Sequence, residues 1–206
     1  MQDIVQQFIE GIRTTTWYEY IAVVFGIASV WFSRKENILV YPTGLINTIL
    51  YIYLSIEGHL FGEASVNLYY TIMSIYGWAL WAKKDNQKVP VLHITRSSGK
   101  EWSRHLLFFA ACYIVIFLCL SYLKKQFAPG ALPAADAFAS ATAFTGMWLM
   151  AKKKIESWYW WIATNITAIP LYFIKGYVLT SVYYLILLIL ACYGLVAWRK
   201  KARYYD

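Results

Sequence analysis

The chain alternates long apolar runs with short basic stops, and few folds tolerate that pattern. A helix needs roughly 20 mostly apolar residues to cross a bilayer, and several runs approach that length. They stop at Arg34-Lys35, Lys83-Lys84, Lys124-Lys125, Lys152-Lys153-Lys154, Lys175-Gly176 and Arg199-Lys200-Lys201. A soluble helical core would show apolar stripes backed by polar faces instead. Composition agrees: 60% of residues are hydrophobic and 15% charged, against about half and a quarter in ordinary soluble domains. The net charge of +8 would suggest nucleic acid in a soluble protein. Here the basic residues gather at the ends of apolar runs, so they set orientation. The expected partner is the lipid bilayer, with no nucleic acid.

Seven spans follow. They cover Trp17 to Phe32, Ile38 to Ile56, Ala64 to Trp81, His105 to Leu123, Asp136 to Met150, Trp158 to Ile174 and Val178 to Trp198. The polar stretch from Asp85 to Arg104 reads as a loop, as does the Pro/Gly/Ala segment from Phe127 to Ala135. Ahead of the spans, Ile4, Val5, Phe8, Ile9 and Ile12 recur at helical spacing against Gln2, Gln6, Gln7 and Glu10. Residues 1–16 are thus expected to form an amphipathic helix on the membrane surface. Nothing there reads as a cleavable signal peptide. Trp17, Trp31, Trp81, Trp102, Trp148 and Trp198 fall near span ends, where interfacial anchors belong. With seven spans, 15 of the 19 Lys and Arg residues lie on one side and 4 on the other. That asymmetry predicts an outside N-terminus and a cytoplasmic C-terminus.

The two ends of the chain resemble each other. At a shift of 118, Tyr41 falls on Tyr159, Asn47 on Asn165 and Gly58 on Gly176. At a shift of 117, Tyr76-Gly77 falls on Tyr193-Gly194, and Trp81-Ala82-Lys83-Lys84 on Trp198-Arg199-Lys200-Lys201. Residues 17–84 therefore read as a three-helix repeat and residues 126–201 as its second copy, in the same orientation. Residues 85–125 supply a loop and a linker helix, without which the second copy would be inverted, and residues 202–206 form a tail. Parallel repeats of this kind occur in transporters.

Polar groups inside a bilayer are costly unless paired or used. In the sixth span, Trp158, Trp161, Asn165 and Tyr172 share one helical face. Indole rings and a carboxamide on one wall suit a flat, cationic, ring-containing solute, through stacking, cation–π attraction and hydrogen bonding. The competing reading makes the two tryptophans interfacial belt residues. Asn47 shares a face with Thr43, Gly44 and Tyr51, and the third span aligns Asn67, Tyr70, Thr71, Ser74 and Trp78. These groups either complete the wall or act as interhelical glue; Asn47 and Asn165 could bond each other. Pro42 and Pro170 are candidate kinks. Cys112, Cys119 and Cys192 lie singly in apolar runs, and His59, His93 and His105 do not cluster. With no phosphate-cradling loop either, no metal or cofactor is expected. No titratable set converges within the membrane, which argues against an enzyme. A scaffold protein would not need the paired Asn residues.

From about Trp17 to Arg199 the sequence resembles the PnuC family of bacterial vitamin transporters. The resemblance rests on Tyr41-Pro-Thr-Gly-Leu-Ile-Asn47, on Asn67-Leu-Tyr-Tyr70 through Tyr76-Gly-Trp78, and on Trp158-x-x-Trp161 followed by Asn165. It implies an all-α, SWEET-like arrangement of three, one and three helices in the bacterial inner membrane, assembled as a homotrimer. It also implies facilitated diffusion of nicotinamide riboside, with thiamine or riboflavin carried by related branches, and trapping by a cytoplasmic kinase. The family's substrate motif falls on Trp158, Trp161 and Asn165, with no cofactor.

Overall fold

The computed structural model describes residues 2–57, 61–127 and 132–202. Gly58 with its match to Gly176, His59, the Pro129-Gly130 part of the loop, and the tail from 203 with Arg203 lie outside the described residues. Among the described residues eight helices form: α1 (Gln2–Thr14), α2 (Trp17–Arg34), α3 (Val40–Glu57), α4 (Phe61–Trp81), α5 (Gly99–Phe127), α6 (Pro133–Ala151), α7 (Ser157–Ile174) and α8 (Val178–Ala202). Among the described residues, extended pairing is limited to the isolated bridges Lys84–Pro90 and Thr95–Lys154. Two segments, Gly99–Leu123 and Val178–Ala202, are each long and apolar enough to cross a bilayer alone.

Helices α2 to α8 fall where the seven apolar runs predict them, with one notable difference. The fourth starts at Gly99 and not at His105. Ser98 and Glu101 form a capping box: the Glu101 backbone N–H donates to Ser98 Oγ (3.3 Å), and the Ser98 N–H donates to Glu101 Oε2 (2.8 Å). That reciprocal pair satisfies N-terminal donors and extends the helix into the polar segment. α6 starts at Pro133, where the missing N–H costs no helical bond. Pro42 sits in the first turn of α3, and α7 continues through Pro170. The amphipathic pattern at the N-terminus becomes α1, which leans on α8 and leaves Val5, Ile9 and Ile12 exposed in a stripe. Such a stripe is what a helix lying in a membrane interface presents.

Packing pairs α2 with α3, α3 with α4, α6 with α7 and α7 with α8. Two seams join these groups, α2 against α8 and α4 against α6, while α5 packs mainly on α6 and touches α7 where Phe109 meets Trp160 at 5.1 Å. The outer faces of α5 bare Leu107, Ile114, Val115 and Leu118. So much exposed apolar surface belongs in lipid rather than water.

The buried core gathers at the end carrying the basic stops, around Val40, Tyr41, Trp81, Ile94, Met150, Ile155, Trp158 and Trp198. It contains one arrangement twice. Tyr41 meets Trp81 edge-on at 5.2 Å, and Trp158 meets Trp198 edge-on at 5.5 Å. Each first ring lies on a glycine: a Cβ on Gly77 would overlap Tyr41, and a Cβ on Gly194 would overlap Trp158. Only glycine lets the backbone come this close. Each second ring then donates across a seam. Trp81 Nε1 bonds the Ala151 carbonyl at the end of α6 (3.2 Å), and Trp198 Nε1 bonds the Ser33 carbonyl near the end of α2 (3.0 Å).

This corrects one expectation. Trp81 and Trp198 are 5% and 0% exposed, so they are core residues and not interfacial anchors. At the same end of the same helices, a carbonyl partner and a glycine-backed ring give the indole a better home than the interface. Trp17 and Trp31 do face outward, with the Arg34 guanidinium 4.1 Å above the Trp31 ring. The loop after α4 is tied to the α6–α7 turn: Thr95 N–H donates to the Lys153 carbonyl (3.2 Å), and Ile155 N–H donates to the Thr95 carbonyl (3.1 Å).

Gly194→Ala and Gly77→Ala should each cost about 1–3 kcal/mol, the usual penalty of overpacking. The measurement is thermal unfolding in detergent, and an unchanged melting temperature for both variants would contradict the packing described.

Candidate functional site

α7 supplies the centre of the site. From its start at Ser157, a rise of about 1.5 Å per residue puts Trp161, Asn165 and Tyr172 at about 6, 12 and 22 Å along the axis. The three share a face, so they form a ladder through the middle of the protein. Trp161 is half-buried beside Gly146 of α6, where an added Cβ would sit 3.3 Å from the indole. Its ring lies 6.1 Å from that of Tyr70 on α4. The Asn165 side chain is 2% exposed, and its Oδ1 has no hydrogen-bond partner among the described residues. A buried carbonyl oxygen left unpaired costs about 1–3 kcal/mol, so its retention points to a use.

The structure separates Trp158 from this ladder. Trp158 is 1% exposed, backed by Gly194 and Trp198 in the basic-end core. The ring is packed there, with its Nε1, like Asn165 Oδ1, lacking a hydrogen-bond partner among the described residues, whereas Trp161 borders the seam between α4 and α6. Tyr172 lies at the far end, stacked on Tyr184 of α8 at 5.2 Å and hydrogen-bonded to it.

The candidates on α3 and α4 divide in the same way. Asn47 Nδ2 donates to the Ala22 carbonyl of α2 (2.7 Å), so its amide binds within its own three-helix group rather than to Asn165. The Tyr183 side chain of α8 also hydrogen-bonds Asn47, and both crowd the open face of Gly26, where a Cβ would overlap the tyrosine. Thr43 Oγ1 donates to its own helix at Leu39 (2.6 Å). Asn67 Nδ2 donates to the Glu63 carbonyl one turn back (3.0 Å). Tyr70 is the member of this group that meets α7 and α6, through Trp161 and Phe144. Beside it, Tyr69 stacks on Phe144 at 4.1 Å and donates its hydroxyl to the Phe144 carbonyl (3.0 Å).

Tyr183 and Tyr184 were not singled out by the sequence analysis. α8 reads as uniformly apolar, and the signal available was the adjacent Tyr-Tyr pair in its second turn. With Tyr51, Tyr70 and Tyr172 they make an interacting set of five tyrosines on α3, α4, α7 and α8. The carboxylates of Glu19 and Glu63 act electrostatically on Tyr51 from the end opposite the basic stops. Nearby, Lys175 pairs with Asp136 at 2.6 Å. Tyr172, Tyr183 and Tyr184 thus pack ring to ring, near an end where acidic Glu19, Glu63 and Asp136 outnumber the nearby Lys175.

Charge is handled differently at the basic end. Glu36, in the α2–α3 turn, meets Lys153 at 2.8 Å and Lys201 at 3.0 Å. Burial acts to raise its pKa, but the two lysine hydrogen bonds and charges outweigh burial and lower it below the ordinary carboxylate value. With the sign that lowering gives, the contribution is present above the unfolded-state pKa and is lost as pH falls through the folded value.

No group of three potential metal ligands comes together among the described residues. A helical membrane protein with an aromatic and carboxamide site between two helix groups belongs to the class of small-molecule transporters. Comparison with known proteins narrows the class. The family described as "Nicotinamide mononucleotide transporter" matches residues 16–200. The nicotinamide riboside transporter PnuC of Escherichia coli (strain K12) is 23% identical, over 91% of this chain and 87% of its own. The PnuC of Neisseria mucosa is 26% identical, over 97% and 78%. The riboflavin/roseoflavin transporter RibM of Streptomyces davaonensis is 20% identical, over 91% and 86%. A crystal structure of the vitamin B3 transporter PnuC aligns with a TM-score of 0.72 at 25% identity, covering 100% of this chain and 90% of that one. The chain belongs to the nicotinamide mononucleotide transporter family, the family of the PnuC proteins; it is a transporter and not an enzyme.

Two substitutions separate packing from binding. Trp158→Ala should cost about 3–5 kcal/mol of stability. Asn165→Leu removes an oxygen that has no internal partner, so the melting temperature should hold or rise. A large loss of stability in Asn165→Leu would show that its side chain serves the fold.

Proposed function

We propose that this protein carries nicotinamide riboside, a flat ribosylated pyridinium cation, across the bacterial inner membrane by facilitated diffusion. The observation that carries the reading is the buried, unpartnered Asn165 oxygen, one turn from a Trp161 ring that faces Tyr70. An amide or hydroxyl of the vitamin satisfies that oxygen, and its ring lies against the indole and phenol, with cation–π attraction adding to stacking. Two relatives described as nicotinamide riboside transporters support this choice. The relatives lend no support to thiamine, the alternative from the sequence. The riboflavin/roseoflavin relative keeps a second flat-ring vitamin as the competing substrate.

The same reading takes α2 to α8 as seven spans, with the N-terminus outside and the basic stops in the cytoplasm. α2–α4 and α6–α8 form two like-oriented units joined by α5. The paired seams and the twofold recurrence of ring, glycine and tryptophan support that division. The units rock about the site to give alternating access. The chains assemble as a homotrimer, and a cytoplasmic kinase traps the vitamin.

In proteoliposomes, saturable nicotinamide riboside uptake should fall at least tenfold in Trp161→Ala and in Asn165→Ala. The tenfold figure corresponds to losing about 1.4 kcal/mol of binding. Tryptophan fluorescence of the purified protein should be quenched by nicotinamide riboside. Quenching by riboflavin alone would reassign the substrate, and wild-type uptake in both variants would overturn the site.

A further inference from the structure

The end with the basic stops is closed by contacts that cross from one helix group to the other. Glu36, between α2 and α3, takes Lys153 of the α6–α7 turn on Oε1 and Lys201 of α8 on Oε2. Lys153 also donates to the Leu92 carbonyl (2.8 Å) and sits 4.7 Å over the Trp81 ring. Below this, Trp81 bonds Ala151 of α6 and Trp198 bonds Ser33 of α2, so each group holds the other's first helix. Ser33 Oγ also reaches Met150 Sδ across the same gap, at 2.9 Å. Glu36 and Lys153 both adopt left-handed backbone, at φ 59° and 51°. Non-glycine residues hold that conformation only where the surroundings fix it. Two strained turns thus aim opposite charges at each other.

We infer that Glu36, Lys153 and Lys201, seated on the Trp81–Trp198 pair, are the inner gate that must part for cargo to leave on the basic side. The inference rests on the carrier reading, because a gate has meaning only if the groups move apart. Dispersion and indole hydrogen bonds make the closed state specific. The charged pairs lie on its rim, where water competes for them once the turns separate. The latch is therefore reversible, unlike the glycine-backed rings inside each group. Lys153 is 5% exposed on its side chain, so removing the Glu36 charge leaves a buried cation held only by the Leu92 carbonyl and the Trp81 ring and favours the open state.

A cross-link tests the gate in a protein with Cys112, Cys119 and Cys192 replaced by serine. Glu36→Cys with Lys153→Cys, joined by a short thiol cross-linker that a reductant cleaves, should abolish transport while binding from the acidic side persists. Reductant should restore transport, which also establishes that the variant folds. Transport at the unlinked rate in fully cross-linked protein would overturn the gate.

A second measurement does not depend on the cargo. Tyr70→Cys in the same serine-substituted protein reports access to the seam between α4, α6 and α7 where Tyr70 meets Trp161. Adding Glu36→Gln should raise its labelling by an impermeant maleimide from the basic side about tenfold, the population shift expected from one charge-assisted hydrogen bond. Labelling unchanged by Glu36→Gln would reject the latch even if vitamin uptake were normal. A gate that opens while the protein with Tyr70 intact carries no vitamin would instead reject the substrate assignment and leave the gate standing.

Discussion

A helix crossing hydrocarbon must satisfy its polar groups without water, and that constraint organises this protein. Nearly every polar side chain in the helices turns back to a carbonyl or to another side chain. Thr142, Thr145, Thr164 and Thr167 bond to their own helices, and Thr164 also reaches Thr142. Asn47 reaches α2, and Ser181 reaches Ile169 beside the helix-interior Pro170. Against that background six buried side-chain atoms have no partner among the described residues: Thr16 Oγ1, the Tyr41 hydroxyl, His105 Nδ1, Trp158 Nε1, Trp160 Nε1 and Asn165 Oδ1, of which the last is the amide oxygen on the Trp161 face. Its neighbours on the same face, Trp161 and Tyr172, offer ring surface together with an indole N–H and a hydroxyl, and the hydroxyl is engaged by Tyr184.

The second organising contact is ring on glycine. Gly77 and Gly194 let Tyr41 and Trp158 sink into their own helix groups, and this brings Trp81 and Trp198 to the seams as hydrogen-bond donors. Stability within each group is thereby mostly dispersion, which the bilayer does not weaken. Between the groups it depends more on a few directional bonds and charged pairs. A molecule packed more closely within each helix group than across the seams suits the rocking proposed for it.

Much of this was legible in the sequence. Apolar runs, six of the seven ending at Lys or Arg, gave six of the seven long helices to within a few residues, because charge is costly inside hydrocarbon. The start of α5 was missed because its capping box lies inside a polar stretch that looks like loop. The repeat was visible through Tyr76-Gly77, Tyr193-Gly194 and the tryptophan-basic ends, although its structural partner for Trp158 is Tyr41, one register away from the alignment by Asn. Helical spacing placed Trp158, Trp161, Asn165 and Tyr172 on one face, correctly as geometry. Spacing cannot say where that face leaves the cavity and enters the core, and Trp158 lies beyond that point. A tryptophan at a span end has two homes, interface or seam, and only the carbonyls across the seam decided for Trp81 and Trp198. Tyr183 and Tyr184 were hidden by the apolar sequence around them.

The most direct test of the account is a structure of the purified protein with nicotinamide riboside bound. The pyridinium ring should lie against Trp161 and Tyr70, with a donor of the vitamin about 3 Å from Asn165 Oδ1. A vitamin bound elsewhere, with the Asn165 oxygen still lacking a partner, would contradict it.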